Sequence, residues 1–120
     1  MQAPVQISFH GCDHSDALTQ DIEKHAEKIE EFYGRITTCR VVIEAPHKSH
    51  TKGKLFHINV EITIPGVGQV VHNDRGNNPA HEDVYVAVRD AFNAVESQIK
   101  TIVGKRRDEE RREKKEEVGI

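Results

Sequence analysis

The sequence has no tryptophan, a single methionine, four phenylalanines and two tyrosines. Any core must therefore be assembled mainly from Val, Ile, Leu and Ala around Phe9, Phe32, Phe56 and Phe92. Cysteine is equally scarce. Cys12 and Cys39 stand alone without C-x-x-C spacing, which argues against a disulfide-stapled scaffold and against a thiolate zinc site. No segment comes near the roughly 18 apolar residues that a membrane-spanning helix requires. The start, Met1-Gln-Ala-Pro-Val5, lacks the basic and apolar regions of a signal peptide. The expectation is a soluble, cytoplasmic chain with no membrane partner.

What is present is charge, unevenly distributed. Lys, Arg, Asp and Glu make up 31% of the 120 residues and leave a net charge of −3. Residues 105 to 117 hold seven basic and six acidic side chains, so the body through Gly104 has ten basic against fourteen acidic. An average of this kind conceals local fields. The stretch His47-Lys-Ser-His-Thr-Lys-Gly-Lys-Leu-Phe-His57 carries Lys48, Lys52 and Lys54 with three histidines and no acid. It is the one purely cationic segment.

Periodicity divides the chain into six elements. Val5, Ile7 and Phe9 alternate with polar residues as in a half-buried strand. Ser15 is a candidate N-cap for a helix over about 16 to 33, whose Leu18, Ile22, Ala26, Ile29 and Phe32 recur at helical spacing before Gly34. Thr38 to Ala45, rich in β-branched residues, predicts a second strand ended by Pro46. Phe56, Ile58, Val60, Ile62 and Ile64 alternate cleanly as a third, and Pro65-Gly-Val-Gly68 turns the chain into a fourth over Gln69 to His72. After a polar loop, Val84, Val88, Ala91, Phe92, Val95, Ile99, Ile102 and Val103 mark one face of a second helix. Gly104 is a candidate end, although the helix formers beyond it are able to continue the helix. The predicted fold class is α+β, β-α-β-β-β-α, with two helices packed on one face of a four-stranded mixed sheet. Strands one and two should be parallel and the rest an antiparallel meander. One domain over 1–104 is expected, with 105–120 a charged tail, either a helical extension or disordered.

No nucleophile elbow, P-loop or dinucleotide fingerprint is present, so neither catalysis, a small-molecule substrate nor a cofactor is expected. His47, His50 and His57 are close in sequence but lack helical H-E-x-x-H spacing, and solvated loop histidines are the preferred reading over a metal site. In His81-Glu-Asp83 the acids suit the capping of a helix start better than metal ligation. For binding, Lys24, His25 and Lys28 on the first helix and Arg89 and Lys100 on the second, followed by Lys105, Arg106 and Arg107, would flank a shared groove if the helices pack side by side. The competing reading is a solvated surface of ion pairs, with Lys24 and Lys28 among Glu23, Glu27, Glu30 and Glu31, and Lys100 paired with Glu96.

The segment His81-Glu-Asp-Val-Tyr-Val-Ala-Val-Arg-Asp-Ala-Phe92, after a β-α-β-β-β pattern and before a basic helix end, resembles the hibernation-promoting factor and ribosome-associated inhibitor (sigma-54 modulation protein) family. Ala17-Leu18 through Ile29 is a weaker match, and 46–57 is similar to a short-form branch with a basic, His-rich loop. The resemblance implies a bacterial factor that binds the small ribosomal subunit and its ribosomal RNA, excludes messenger and transfer RNA sterically, and preserves idle ribosomes. RNA-binding residues expected on this reading are Lys24, His25, Lys28, Lys48, Lys52, Lys54, Arg89, Lys100, Lys105, Arg106 and Arg107. Thr19, Glu31, Ala94 and Ser97 stand where family members often carry Lys or Arg, which shifts the expected weight of binding to the 48–54 loop and to 105–107. A homodimer is compatible with the resemblance but not implied by it. The alternatives are a protein-interaction module that does not act on ribosomes and a metal sensor built on the His cluster.

Overall fold

The computed structural model describes residues 4–45, 55–73 and 78–118, with side chains described through Arg112. Its elements are β1 (Gln6–His10), α1 (Asp16–Tyr33), β2 (Thr38–Glu44), β3 (His57–Ile64), β4 (Gly68–Asn73), a 3₁₀ turn (Pro79–Glu82) and α2 (Val84–Val118). The sheet order is β1-β2-β3-β4, with β1 parallel to β2 and the remaining pairs antiparallel. This is the α+β architecture that the periodicity predicts.

The alternation in β3 explains why one sheet face closes and the other stays open. Ile58, Val60, Ile62 and Ile64 are buried, while His57, Asn59, Glu61 and Thr63 between them remain partly exposed. Register carries the apolar stripe across the sheet, pairing Val41 with Val60, Ile43 with Ile58 and Ile62 with Val70. Cross-strand pairs of this kind are the unit of sheet stabilisation. Both helices cover that face with Leu18, Ile22, Ala26 and Ile29 from α1 and Ala87, Val88, Ala91, Phe92, Val95 and Ile99 from α2.

Local chemistry sets the element ends. Ser15 Oγ accepts from the Leu18 amide at 3.2 Å, capping α1, and Gly34 ends it at φ 115°. Pro65 and Gly66, at φ 85°, occupy the centre of a turn closed by the Val67 amide donating to Ile64 O at 3.0 Å, as a type II turn demands. Asp83 Oδ1 accepts from the Tyr85 amide at 2.9 Å and so caps α2.

Phe32 departs from the sequence reading. It belongs to the predicted apolar face of α1 and to the predicted core, but it is 64% exposed. The helix face drifts from Ile29 by four residues rather than three, so Tyr33 turns inward and its hydroxyl donates to Glu96 Oε1 on α2 at 3.3 Å. Of the four phenylalanines only Phe92 is fully buried, while Phe9 and Phe56 pack at the margin of the core. At the other end α2 passes through Gly104 without a break.

Candidate nucleic-acid interface

The two helices lie side by side and leave between them a groove of about 330 Å³. Its lining is His25, Lys28 and Ile29 from α1 with Arg89, Phe92, Asn93 and Glu96 from α2. Helical geometry accounts for the set. His25, Lys28 and Ile29 stand three and four residues apart, as do Arg89, Phe92, Asn93 and Glu96, so each group shares one helix face.

The aromatic contact at the base of the groove is a stacked pair. The His25 ring lies on Phe92 with centroids 5.2 Å apart and planes 16° from parallel. His25 Nε2 is 3.6 Å from Asp21 Oδ2, one turn earlier. Neither Lys24 nor Lys28 makes an ion pair among the described residues, despite the glutamates around them in sequence. Lys24 is exposed one turn before Lys28 and outside the groove lining. Lys100 does take the predicted partner, Glu96 Oε1, at 3.7 Å.

Arg89 is oriented by a relay that sequence reasoning missed. Its Nε and Nη2 donate to Asp90 Oδ1 at 3.4 and 3.3 Å, while Asp90 Oδ2 accepts from His81 Nε2 at 2.8 Å. The His81 hydrogen bond, reinforced by Arg89, holds the Asp90 carboxyl below the usual aspartate range against a smaller opposing effect of burial. His81 is itself buried, and its carbonyl accepts from the Phe56 amide at 2.9 Å. The residue therefore joins the 3₁₀ turn, α2 and the lead-in to β3. Of the H-E-D acids, Asp83 caps the helix as expected; the histidine is a packing and hydrogen-bonding hub whose partner, nine residues on, no spacing rule would have picked out.

Lys48, Lys52 and Lys54 lie outside the described residues. The segment that carries them leaves the sheet at Glu44 and returns at His57, which are paired in register, beside His81 at the start of α2. Lys105, Arg106 and Arg107 are exposed on the far part of α2, about 25 Å along the axis from Arg89 at 1.5 Å per residue. Arg89, Lys100 and Arg107 fall on one stripe at intervals of eleven and seven residues. The structure thus brings His25, Lys28 and Arg89 together, leaves Lys24 and Lys100 at the margins, and separates 105–107 from them.

Elsewhere, a second depression of about 240 Å³ on the open sheet face is lined by Pro4, Gln6, Thr38, Cys39, Arg40 and Glu61, a mixed polar surface. Among the described residues no group of three His, Cys, Asp or Glu is placed to hold a metal ion, and no helix is long and apolar enough to cross a membrane.

Similar folds are found in solved structures. The Protein Y N-terminal domain of Thermus thermophilus superposes with a TM-score of 0.62 at 20% identity, covering 80% of this chain and 93% of that one. A ribosomal subunit interface protein from Coxiella burnetii gives 0.60 at 19% identity, covering 83% and 97%. No curated protein matches the chain. The profile described as Sigma 54 modulation protein / S30EA ribosomal protein, a family of ribosome-associated factors and not of enzymes, matches residues 5–107. By that match, which spans most of the chain, the chain belongs to the Sigma 54 modulation protein / S30EA ribosomal protein family.

Proposed function

We propose that this protein binds the small ribosomal subunit in the cytoplasm, contacts its ribosomal RNA, and blocks translation sterically as a hibernation or stress factor. The observation that carries the reading is the convergence of Lys28 and Arg89 from two helices on one groove, with Lys24 beside it and Lys100 and Arg107 continuing the same side of α2. Cations spaced along a groove follow a phosphate backbone, and structured RNA is recognised mostly through shape, phosphates and 2′-hydroxyls. Family membership and the similarly folded subunit interface protein support the same partner. The mechanism needs no chemical step: the bound protein occupies RNA surface that messenger and transfer RNA require.

Sedimentation with purified small subunits at low and high salt tests the proposal. Association should be salt-sensitive and should fall in parallel with initiation in a translation reaction; no association at low salt would refute it. Lys28→Glu with Arg89→Glu should reduce the salt dependence of log K by about 1.5 for two lost phosphate contacts. Lys48→Glu with Lys52→Glu should weaken association more than Lys114→Glu with Lys115→Glu, and equal losses would remove the 48–54 loop from the interface.

A further inference from the structure

The lining of the interhelical groove is not that of a simple phosphate track. Glu96, whose side chain is only 19% exposed, places a carboxylate in it, and a carboxylate repels phosphate. That carboxylate is held in position: Tyr33 Oη donates to Oε1 at 3.3 Å and Lys100 Nζ stands 3.7 Å from the same oxygen. Asn93, one turn earlier on α2, adds an amide with both donors and an acceptor. The ring beside them is the His25 imidazole, stacked on the buried Phe92. Cations occur at the α1 side through Lys28 and at the α2 side through Arg89.

An imidazole ring, a fixed carboxylate, an amide and flanking cations together are elements by which proteins hold an unstacked nucleobase: ring faces stack, polar groups read the base edge, and cations take the adjoining phosphates. The groove volume of about 330 Å³ lies at the lower end of the range for small-ligand pockets. We propose that the interhelical groove is a nucleobase pocket with a preference for guanine, bound as a phosphorylated nucleotide. Guanine presents two adjacent N–H donors on its Watson–Crick edge, N1 and N2, which match one carboxylate in a bidentate, charge-assisted pair. Adenine and cytosine present one amino group beside an acceptor, and uracil places its N3–H between two carbonyls that face a carboxylate unfavourably. The inference deepens the RNA-binding reading, naming a base contact where phosphate neutralisation alone would be sequence-blind.

Calorimetric titration of the full chain with the RNA pentamers UUGUU, UUAUU, UUCUU and UUUUU, and with guanosine 5′-monophosphate, tests it. UUGUU should bind at least about fivefold tighter than the other three, the low end of what one bidentate base contact discriminates. Glu96→Gln, which keeps an acceptor for Tyr33, should abolish that preference with an unchanged melting temperature. His25→Ala should weaken all four pentamers by about fivefold or more through lost stacking, and Lys28→Ala with Arg89→Ala should weaken them equally. Pentamer binding well above that of the mononucleotide assigns the pocket to an RNA strand, and equal binding assigns it to a free nucleotide. Equal affinity for the four pentamers, or a guanine preference that survives Glu96→Gln, overturns the pocket. Small-subunit sedimentation is read separately: association without base preference overturns only the pocket, and base preference without association overturns only the ribosomal partner.

Discussion

Replacing His81 with alanine removes the donor to Asp90 while leaving the His81 carbonyl, and with it the Phe56 hydrogen bond, in place. A hydrogen bond to a charged group contributes about 1.5–3 kcal/mol net. The Asp90 side chain is 32% exposed, so solvent screening brings the expected loss to about 1–2 kcal/mol. For a domain of this size that lowers Tm by about 4–8 °C. Thermal and urea unfolding of His81→Ala, Asp90→Asn and the double variant form the cycle, and the coupling between the two sites should be about 1 kcal/mol. The pH dependence provides an independent check. Because the folded Asp90 carboxyl is held below its ordinary value, first by His81, its contribution is complete above the unfolded aspartate range and is lost as pH falls through the folded value. Wild type should therefore lose more stability than Asp90→Asn below about pH 5. Additive single losses, or parallel pH curves, would refute the assignment of His81 as the anchor of this end of α2.

Phe92→Ala should cost about 3–5 kcal/mol, since the ring is 2% exposed beneath the groove, whereas Phe32→Ala, at 64% exposure, should fall within about 0.5 kcal/mol of wild type in the same urea titration. Gly104→Ala should stabilise α2 by up to about 1 kcal/mol, because a Cβ there meets nothing within 4 Å and the glycine sits in a helix interior; increased helical circular dichroism or a higher Tm checks this, and destabilisation would show an unrecognised contact. Burial pushes the Cys39 thiol up to about 12, so a thiol reagent at pH 8 should modify exposed Cys12 promptly and Cys39 only on unfolding. Prompt modification of both would show that β2 opens in the native state.

The order of elements, the buried faces of the first and third strands and the capping of α1 by Ser15 were legible in the sequence because they depend on short-range periodicity and on one or two neighbouring residues. The expected cations on the two helices were legible as candidates for the same reason. Which of them converge was not: His25, Lys28 and Arg89 meet only because α1 and α2 pack side by side over the sheet, while Lys24, one turn from Lys28, stays outside. Phe32 was misplaced because spacings of three and four both suit a helix face, and the choice between it and Tyr33 fell to a hydroxyl that finds Glu96 across the helix interface. His81 and Asp90 have unremarkable spacing across the junction of a 3₁₀ turn and a helix, so their pairing depends on the angle at which the two segments join. Local pattern thus determined the fold and the pool of candidate binding residues. Helix packing alone decided that the carboxylate, amide and cation of α2 would share a groove with the imidazole and cation of α1, because the two sets lie far apart in sequence and only the core beneath them sets the distance between them.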